Sequence, residues 1–191
     1  MPKRRIFIAV DISDEARRSV AGYITELRSR FSDVRVGWER PEKLHFTLKF
    51  LGQVEDAIVS QVENAITGVI HRYRPFNVEL WGTGIFPSAR EPRILWLGLK
   101  AGREAMVALG TDIESAVEHL GFAPDPRTFS PHLTIGRIRE PTKGGELAAA
   151  HVGRGFGPVQ FSVDRVTIYE SILAPAGSMY AAISRVPLRH E

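Results

Sequence analysis

Hydrophobic residues along the first forty positions change from a period of two to a helical period. Ile6, Ile8 and Val10 alternate with more polar or smaller residues, which predicts a β-strand. Ser13 follows, with acidic residues at 14 and 15, and this order is typical of a helix N-cap. Apolar positions then recur every three or four residues and predict an amphipathic helix packed on a core. That stripe consists of Ala16, Val20, Tyr23, Leu27 and Phe31.

The same two periods continue through the rest of the chain. A second helix is predicted from the stripe Val54, Ile58, Val62, Ile66 and Val69, and a third from about 102 to 120, ending at Gly121. A short alanine-rich helical piece is expected within 144–157. Further strands are predicted at 34–38, 44–51, 76–86, 93–100, 128–138, 159–171 and 179–186.

Alternation dominates these strands, and none is the continuous aliphatic run of a buried parallel strand. The pattern therefore predicts an α+β fold with mainly antiparallel sheets. No low-complexity linker divides the sequence, so residues 1–191 are expected to form a single domain.

Composition narrows the class of protein. There are no cysteines among the 191 residues, which excludes disulfides and thiolate metal sites. The apolar start, Ile6 to Val10, is too short for a signal sequence, and no membrane-spanning run follows. We therefore expect a cytoplasmic protein. A net charge of +3 suits an anionic ligand such as phosphate or RNA.

Two strands carry the same short motif. "HFTL" begins at His45 and "HLTI" begins at His132, so each has histidine and threonine two positions apart between apolar residues. Because side chains alternate in a strand, His45 and Thr47 share one face, and His132 and Thr134 share another. Chance predicts about 0.3 such histidine–threonine matches in a chain of this composition, so two copies favour a functional pair.

The motifs suit phosphodiester chemistry if the two strands lie side by side. Histidine has an unperturbed pKa near ~6.5, so one imidazole can accept a proton from the nucleophile while the other donates one to the leaving oxygen. The threonine hydroxyls can donate hydrogen bonds to the nonbridging phosphate oxygens. A metal ion is not needed for this chemistry. The other histidines form neither H-x-H nor H-x-x-x-H, so we expect no metal site.

The chain resembles the two-histidine (2H) phosphoesterases and, within them, the RNA 2′,3′-cyclic phosphodiesterases that are often called 2′-5′ RNA ligases. The resemblance covers essentially the whole chain. It lies in "RIFIAVDI", "GWERPEKLHFTLKFLG", "GTGIFPS", "RILWLGL", "FSPHLTIGR" and "YESIL".

The resemblance implies a bilobal fold of two pseudo-symmetric, mainly antiparallel sheets, with helices on their outer faces and a central active-site cleft. It implies that His45 protonates the departing 3′-oxygen, that His132 activates water, and that Thr47 and Thr134 hold the phosphate. The implied partner is RNA with a 2′,3′-cyclic phosphate end, tRNA fragments among them, with no cofactor, no metal, no membrane association and a monomeric protein. The acid and base roles of the two histidines rest on the resemblance alone, because the motifs are so alike.

Arg137 is a common part of the second motif in the resembling family and is expected to bind substrate. Simple alternation places Arg137 on the face opposite His132, unless a bulge near Gly136 redirects it; a structural salt bridge is the alternative. Lys49 should share the histidine face by alternation, near phosphate or at the solvated rim. A nucleobase could stack on a strand aromatic (Phe7, Trp38, Phe129 or Tyr169), although core packing is the default for each.

Two alternative functions stay open. One is a phosphodiesterase for a small cyclic or 2′-5′-linked nucleotide, which the turnover of mononucleotides and oligonucleotides would distinguish. The other is a noncatalytic nucleotide- or RNA-binding module on the same fold, for which binding would survive loss of both motif histidines. The glycine-rich stretch 144–157 matches no phosphate-binding loop, so ATP dependence is not supported.

Overall fold

The computed structural model describes residues 2–174 and 177–189 of the chain. Within them, the helical stripes form four α-helices and the alternating segments form nine strands. The helices are α1 Asp14–Arg30, α2 Asp56–Ile70, α3 Arg103–Glu118 and α4 Gly145–Arg154. The strands are β1 Lys3–Asp11, β2 Val36–Trp38, β3 His45–Glu55, β4 Phe76–Ser88, β5 Glu91–Leu99, β6 Leu133–Ile138, β7 Val159–Val163, β8 Arg165–Ile172 and β9 Met179–Pro187.

The sheet is antiparallel throughout and has two matching halves. Its order is β7-β4-β5-β6-β3-β1-β8-β9, with β2 paired to β6. We call β9, β8, β1 and β3 the His45 half, and β7, β4, β5, β6 and β2 the His132 half. The halves meet at one residue pair, Phe46 opposite Leu133. The predicted α+β antiparallel architecture is confirmed, and the two expected sheets are joined through this pair into one.

Three predicted segments differ from the structure in extent. Val54 lies in β3, so α2 begins only at Asp56 and buries Val59 instead. The strand predicted at 128–138 starts at Leu133. The segment 159–171 is two strands, because the chain turns at Asp164 between β7 and β8. β7 pairs with β4 and β8 with β1, so this one predicted segment supplies a strand to each half.

Two helices cross between the halves. α1 follows β1 of the His45 half but packs near β7 and α4, where Tyr23 contacts His151. α3 follows β5 of the His132 half but packs on β3, where Glu114 pairs with Lys49. Ser13 caps α1 as predicted, since its hydroxyl accepts a hydrogen bond from the Ala16 amide at 3.2 Å. Each half of the sheet is therefore packed against a helix that follows a strand of the other half.

A continuous core lies between the helices and one face of the sheet. His45 and His132 lie on the other face of the sheet. Phe46 and Leu133 are both fully buried within the core, together with Val20, Ile66 and Ile113 of the helices. None of the helices in the described part of the chain is long and apolar enough to cross a membrane.

Candidate active site

The pair that joins the two halves also brings the two motifs together. Phe46 and Leu133 are the central residues of the two H-x-T motifs, and they lie opposite each other with their side chains in the core. Neighbouring residues in a strand point to the other face. His45, Thr47, His132 and Thr134 therefore emerge together on that face, which we call the histidine face. His45 and His132 occupy diagonal positions of this pair, and such positions lie roughly 7–8 Å apart, with a somewhat smaller separation at Cβ, which a phosphate can bridge.

Both imidazoles are held in the same way by the backbone two residues before them. His45 Nδ1 lies 2.6 Å from the Lys43 carbonyl oxygen, and His132 Nδ1 lies 2.8 Å from the Ser130 carbonyl oxygen. A carbonyl only accepts, so each Nδ1 donates its proton and each Nε2 is free to gain or lose one. His45 Nε2 lies 3.1 Å from Thr47 Oγ1 and accepts its hydrogen bond in the neutral ring.

A β-bulge follows each threonine and changes which residues share the histidine face. In β6, Ile135 is the extra residue, because Trp96 lies opposite Thr134 whereas Leu95 lies opposite Gly136. Ile135 and Gly136 are consequently both buried, and Arg137 is exposed on the side of the histidines. The bulge considered from the sequence is therefore present.

Arg137 lies close enough to both histidines for its charge to act on them. It lowers the pKa of His45 and that of His132, although burial is the larger cause for each ring. Its Nε also lies 3.6 Å from Glu39 Oε1, and its side chain is 48% exposed. Arg137 thus belongs to the histidine face and takes part in an ion pair there, so both alternatives considered for it have a structural basis.

The prediction that Lys49 shares the histidine face is wrong. In β3 the extra residue is Leu48, because Ala9 lies opposite Thr47 whereas Ile8 lies opposite Lys49. Lys49 therefore points into the helix side, where it is only 6% exposed. Its Nζ lies 2.5 Å from Glu114 Oε1 and 2.9 Å from the Ala123 carbonyl oxygen, and these contacts compensate for burying the charge.

Burial lowers the pKa of both motif histidines, and hydrogen bonds to the Lys43 and Ser130 carbonyls oppose that shift. The nearby charges differ between the two rings. The Asp11 carboxylate acts to raise the pKa of His45. Arg137 and Arg127 act together to lower the pKa of His132. The two histidines are therefore alike in geometry and unlike in electrostatics.

Asp11 is a feature of the histidine face that the sequence did not reveal. It ends β1 directly opposite His45. Its Oδ2 accepts a hydrogen bond from the Thr167 hydroxyl, and its Oδ1 accepts one from the Tyr169 hydroxyl, both at 2.8 Å. These partners are about 156 positions away in the chain, so no local pattern links them. Only the pairing of β8 with β1 brings the three residues together.

Aromatic side chains enclose His45 on the histidine face. The Phe7 ring lies 5.0 Å from the imidazole centroid, and Tyr180 lies 5.5 Å from it. Phe7 is buried, whereas Phe50, 5.7 Å from Phe7, is 64% exposed. His132 instead contacts the edge of Phe86, at 5.1 Å.

The other aromatics considered for base stacking have structural contacts of their own. Trp38 covers Gly136, and Phe129 covers Gly110 of α3, where an added Cβ would clash with each ring. Tyr169 donates to Asp11 and stacks on Phe7 at 5.2 Å. Arg127 pairs with Asp125 in solvent at 3.2 Å. Core packing is therefore the observed role of Trp38 and Phe129.

The other described histidines, His71, His119 and His151, lie away from this face, and His190 lies outside the described residues. His151 is fully buried in α4, where Nδ1 accepts from the Tyr23 hydroxyl at 2.8 Å and Nε2 donates to the Trp96 carbonyl at 3.2 Å. His119 Nδ1 lies 2.7 Å from the Ser115 carbonyl of its own helix. No group of three or more potential ligands that could hold a metal ion was found among residues 2–174 and 177–189.

Comparison with known proteins gives the same picture from sequence. The 2'-5' RNA ligase superfamily matches residues 16–172, which include both motifs and the pair that joins them. The chain belongs to this superfamily. The chain is also similar to an RNA 2',3'-cyclic phosphodiesterase of Methanothermobacter thermautotrophicus, 34% identical over 93% of this chain and 95% of that protein. One of the same name from Archaeoglobus fulgidus is 33% identical over 92% of this chain and 96% of that protein.

Solved structures extend the comparison to the whole fold. The crystal structure of TT0787 of Thermus thermophilus is 26% identical and superposes with a TM-score of 0.79, covering 98% of this chain and 99% of that one. Escherichia coli LigT complexed with 3'-AMP is 23% identical, with a TM-score of 0.74 over 99% and 100% of the two chains, and so shows the shared fold. The arrangement of the two halves is thus shared with these two solved structures.

Proposed function

We propose that this protein is an RNA 2′,3′-cyclic phosphodiesterase that opens the cyclic phosphate at an RNA end and leaves a 2′-phosphate. The observation that carries the proposal is the Phe46–Leu133 pair, which directs two imidazoles and two threonines to one face. The superfamily match and the names of the relatives at 33–34% identity support the reaction class. Because both halves contribute to the site, residues 1–191 act as one domain and as a monomer.

In the proposed mechanism, His132 Nε2 accepts a proton from water as its oxygen forms a bond to phosphorus. The bond from phosphorus to the 3′-oxygen breaks, and His45 Nε2 gives its proton to that oxygen. The products are a 2′-phosphate and a 3′-hydroxyl, with the protonation states of the two histidines exchanged. Both rings are oriented for these transfers by their Nδ1–H bonds to backbone carbonyls. Bulk solvent returns the rings to their starting forms.

The remaining groups of the histidine face stabilise the charge on phosphate. Thr47 and Thr134 flank the phosphorus position and donate hydrogen bonds to its nonbridging oxygens. Arg137 adds a positive charge on the same side. Protons are balanced between the two rings without a further group, so the proposed reaction uses neither a metal ion nor a nucleotide cofactor.

The same site would give 2′-5′ RNA ligation when an RNA 5′-hydroxyl attacks the cyclic phosphate in place of water. This transfer forms a 2′-5′ link without ATP, because the strained cyclic ester supplies the driving force. Water competes at high concentration, so hydrolysis dominates. RNA fragments with cyclic phosphate ends, including those cut from tRNA, are the substrates that fit this chemistry.

The deciding experiment is incubation with an oligonucleotide that ends in a 2′,3′-cyclic phosphate, followed by identification of the oxygen that keeps the phosphate. We expect a 2′-phosphate and no effect of EDTA. A 3′-phosphate product would mean that the 2′-oxygen departs in place of the 3′-oxygen. No turnover of any cyclic phosphate would contradict the proposal. Nucleoside 2′,3′-cyclic monophosphates serve as the comparison, and faster turnover of the oligonucleotide supports RNA as the substrate.

A further inference from the structure

The two halves of the sheet can be matched residue by residue through their pairing. Thr47 lies opposite Ala9 of β1, and Thr134 lies opposite Trp96 of β5. Asp11 lies two positions after Ala9 in β1, opposite His45. Gly98 lies two positions after Trp96 in β5, at the place opposite His132. The carboxylate beside His45 therefore has no counterpart beside His132.

The groups that hold Asp11 are also confined to one half. Ala9 and Phe7 lie opposite Thr167 and Tyr169 in β8, whereas Trp96 and Ile94 lie opposite Gly84 and Phe86 in β4. Thr167 thus corresponds to Gly84, which has no side chain. Tyr169 corresponds to Phe86, whose ring has no hydroxyl. Trp96 occupies the space over Gly84, where an added Cβ would lie 2.0 Å from its ring. No side-chain oxygen can occupy that position while Trp96 stays in place.

The two hydrogen bonds fix the position of the Asp11 carboxylate, because each of its oxygens accepts from a hydroxyl donor. Burial raises the pKa of Tyr169 to about 12, and its bond to Asp11 adds to the shift, so the phenol remains a donor at neutral pH. The Asp11 carboxylate is therefore held on the strand directly opposite His45.

Other charged and titratable groups surround His45 and Asp11 on every neighbouring element. The groups are Arg17 of α1, Lys43 before β3, Arg137 of β6, Arg165 and Tyr169 of β8, and Tyr180 and Arg185 of β9. Among them, the charges of Arg17 and Arg137 lower the pKa of His45, and the Asp11 carboxylate acts against them.

We propose that Asp11, held by Thr167 and Tyr169, is a positioning residue that assigns the general-acid role to His45 and leaves the general-base role to His132. The inference rests on the proposed function, because it concerns the order of proton transfers in that reaction. His132 has only cationic neighbours acting on it and so favours the neutral form that a base needs. The asymmetry of the two halves thus gives a direction to a site whose motifs are nearly identical.

The first test measures the ring protons of the two histidines by NMR titration, with no substrate present. Asp11→Asn keeps the size and hydrogen-bonding atoms of the side chain and removes its charge. We expect the pKa of His45 to fall by about one unit while that of His132 stays unchanged. Asp11→Glu should restore most of the difference. Asp56→Asn, at the far end of the same strand pair, removes the same charge and should change neither histidine.

The second test uses the pH dependence of kcat/KM with the cyclic phosphate substrate. A protonated His45 is needed for the reaction, so its loss at high pH forms the alkaline limb of the profile. Asp11→Asn should move that limb to lower pH and reduce the rate about fivefold to tenfold at pH 8. Because the pKa of His45 is already below its ordinary value, the loss should shrink only as the pH falls below that lowered pKa. A loss that stays equal across the whole profile would indicate a structural role and would overturn the inference.

The third test removes the need for an acid. In a substrate with sulfur in place of the departing 3′-oxygen, the leaving group is a thiolate, and it needs little proton donation. The penalties of Asp11→Asn and His45→Ala should shrink with this substrate, whereas that of His132→Ala should persist. The opposite result would reverse the assignment. An active enzyme whose His45 titration ignores Asp11 contradicts only this inference, whereas an enzyme inactive on all cyclic phosphates contradicts the proposed function.

Discussion

The strands that follow the two motifs use the same backbone device with different side chains. Each has a β-bulge one residue after its threonine, at Leu48 in β3 and at Ile135 in β6. The next two positions are Lys49 and Phe50 in one half, and Gly136 and Arg137 in the other. In both halves the first of these residues turns towards the helices and the second towards the histidine face.

This comparison shows that a lysine and an arginine near equivalent motifs can have unrelated roles. Lys49 is buried against Glu114 and stabilises the contact between β3 and α3. Arg137 is half exposed beside the two histidines. The exposed position equivalent to Arg137 in the His45 half holds the apolar ring of Phe50. At this pair of equivalent positions, the positive charge is therefore present only in the His132 half.

The largest effects should follow from removing either motif histidine. We expect His45→Ala and His132→Ala each to lower kcat by about 10²–10⁴-fold, because each removes one proton transfer. The double variant should be little worse than the single ones, since the two groups act in one step. Circular dichroism should show an intact fold for all three. Undiminished turnover in one variant would mean that the replaced histidine takes no part in the reaction, although the two halves have the same geometry.

Arg137→Ala should have the next largest effect, and Phe50→Ala is its matched control in the other half. Loss of the charge should reduce kcat/KM by about 10–100-fold, mainly through weaker stabilisation of phosphate. It should also raise the pKa of both His45 and His132, since Arg137 lowers both. NMR titration of the two rings measures this shift. Phe50→Ala should leave both titrations unchanged, and an equal shift in the two variants would contradict the assignment of the charge.

Lys49→Met should affect stability and leave catalysis nearly unchanged. The substitution keeps the length of the buried side chain but leaves Glu114 without its cation, which costs about 3 kcal/mol of the free energy of unfolding. Denaturant unfolding measures the loss. The double variant Lys49→Met with Glu114→Gln should recover part of it. A fall in kcat/KM as large as that of Arg137→Ala would restore the interpretation that Lys49 faces the substrate.

The sequence predicted the parts of this molecule that depend on local patterns. Helical stripes located α1 to α3, and an alanine-rich stretch indicated α4. Strand alternation placed His45 with Thr47 and His132 with Thr134. The bulge at Ile135 had a local signal in Gly136, whereas the bulge at Leu48 had none, so Lys49 was assigned to the wrong face. The division of 159–171 was missed although the alternation changes phase there, with Asp164 and Arg165 as two successive polar residues before Val166.

Long-range contacts were beyond any local pattern. Asp11 meets Thr167 and Tyr169 only because β8 returns to pair with β1. The crossing of α1 and α3 between the halves likewise depends on the whole topology, because an amphipathic stripe predicts burial and does not identify the surface that buries it. The chemistry of the motifs was therefore predictable, whereas the environment that distinguishes one histidine from the other was not.

The two crossed helices provide a last and smaller comparison, in the dependence of stability on pH. α3 is tied to β3 by the Lys49–Glu114 ion pair, and α1 is tied to α4 by the Tyr23–His151 hydrogen bond. Glu114 has a lowered pKa in the folded protein: burial opposes the shift, but the Asp125 amide and Lys49 outweigh it. Stability from Glu114 is thus present above the ordinary carboxyl pKa and is lost as pH falls through the lowered one.

Burial lowers the pKa of His151, with opposing hydrogen bonds to backbone carbonyls, so the folded protein favours the neutral ring. The unfolded chain binds this proton first, and stability from His151 falls as pH drops below about 6.5. We expect His151→Gln to flatten the unfolding free energy between pH 7 and 5 and Glu114→Gln to flatten it only below about 4.5. Thermal or denaturant unfolding across this range measures both slopes. If the free energy of unfolding flattened over the same pH range in both variants, the two helix contacts would be lost together and not independently.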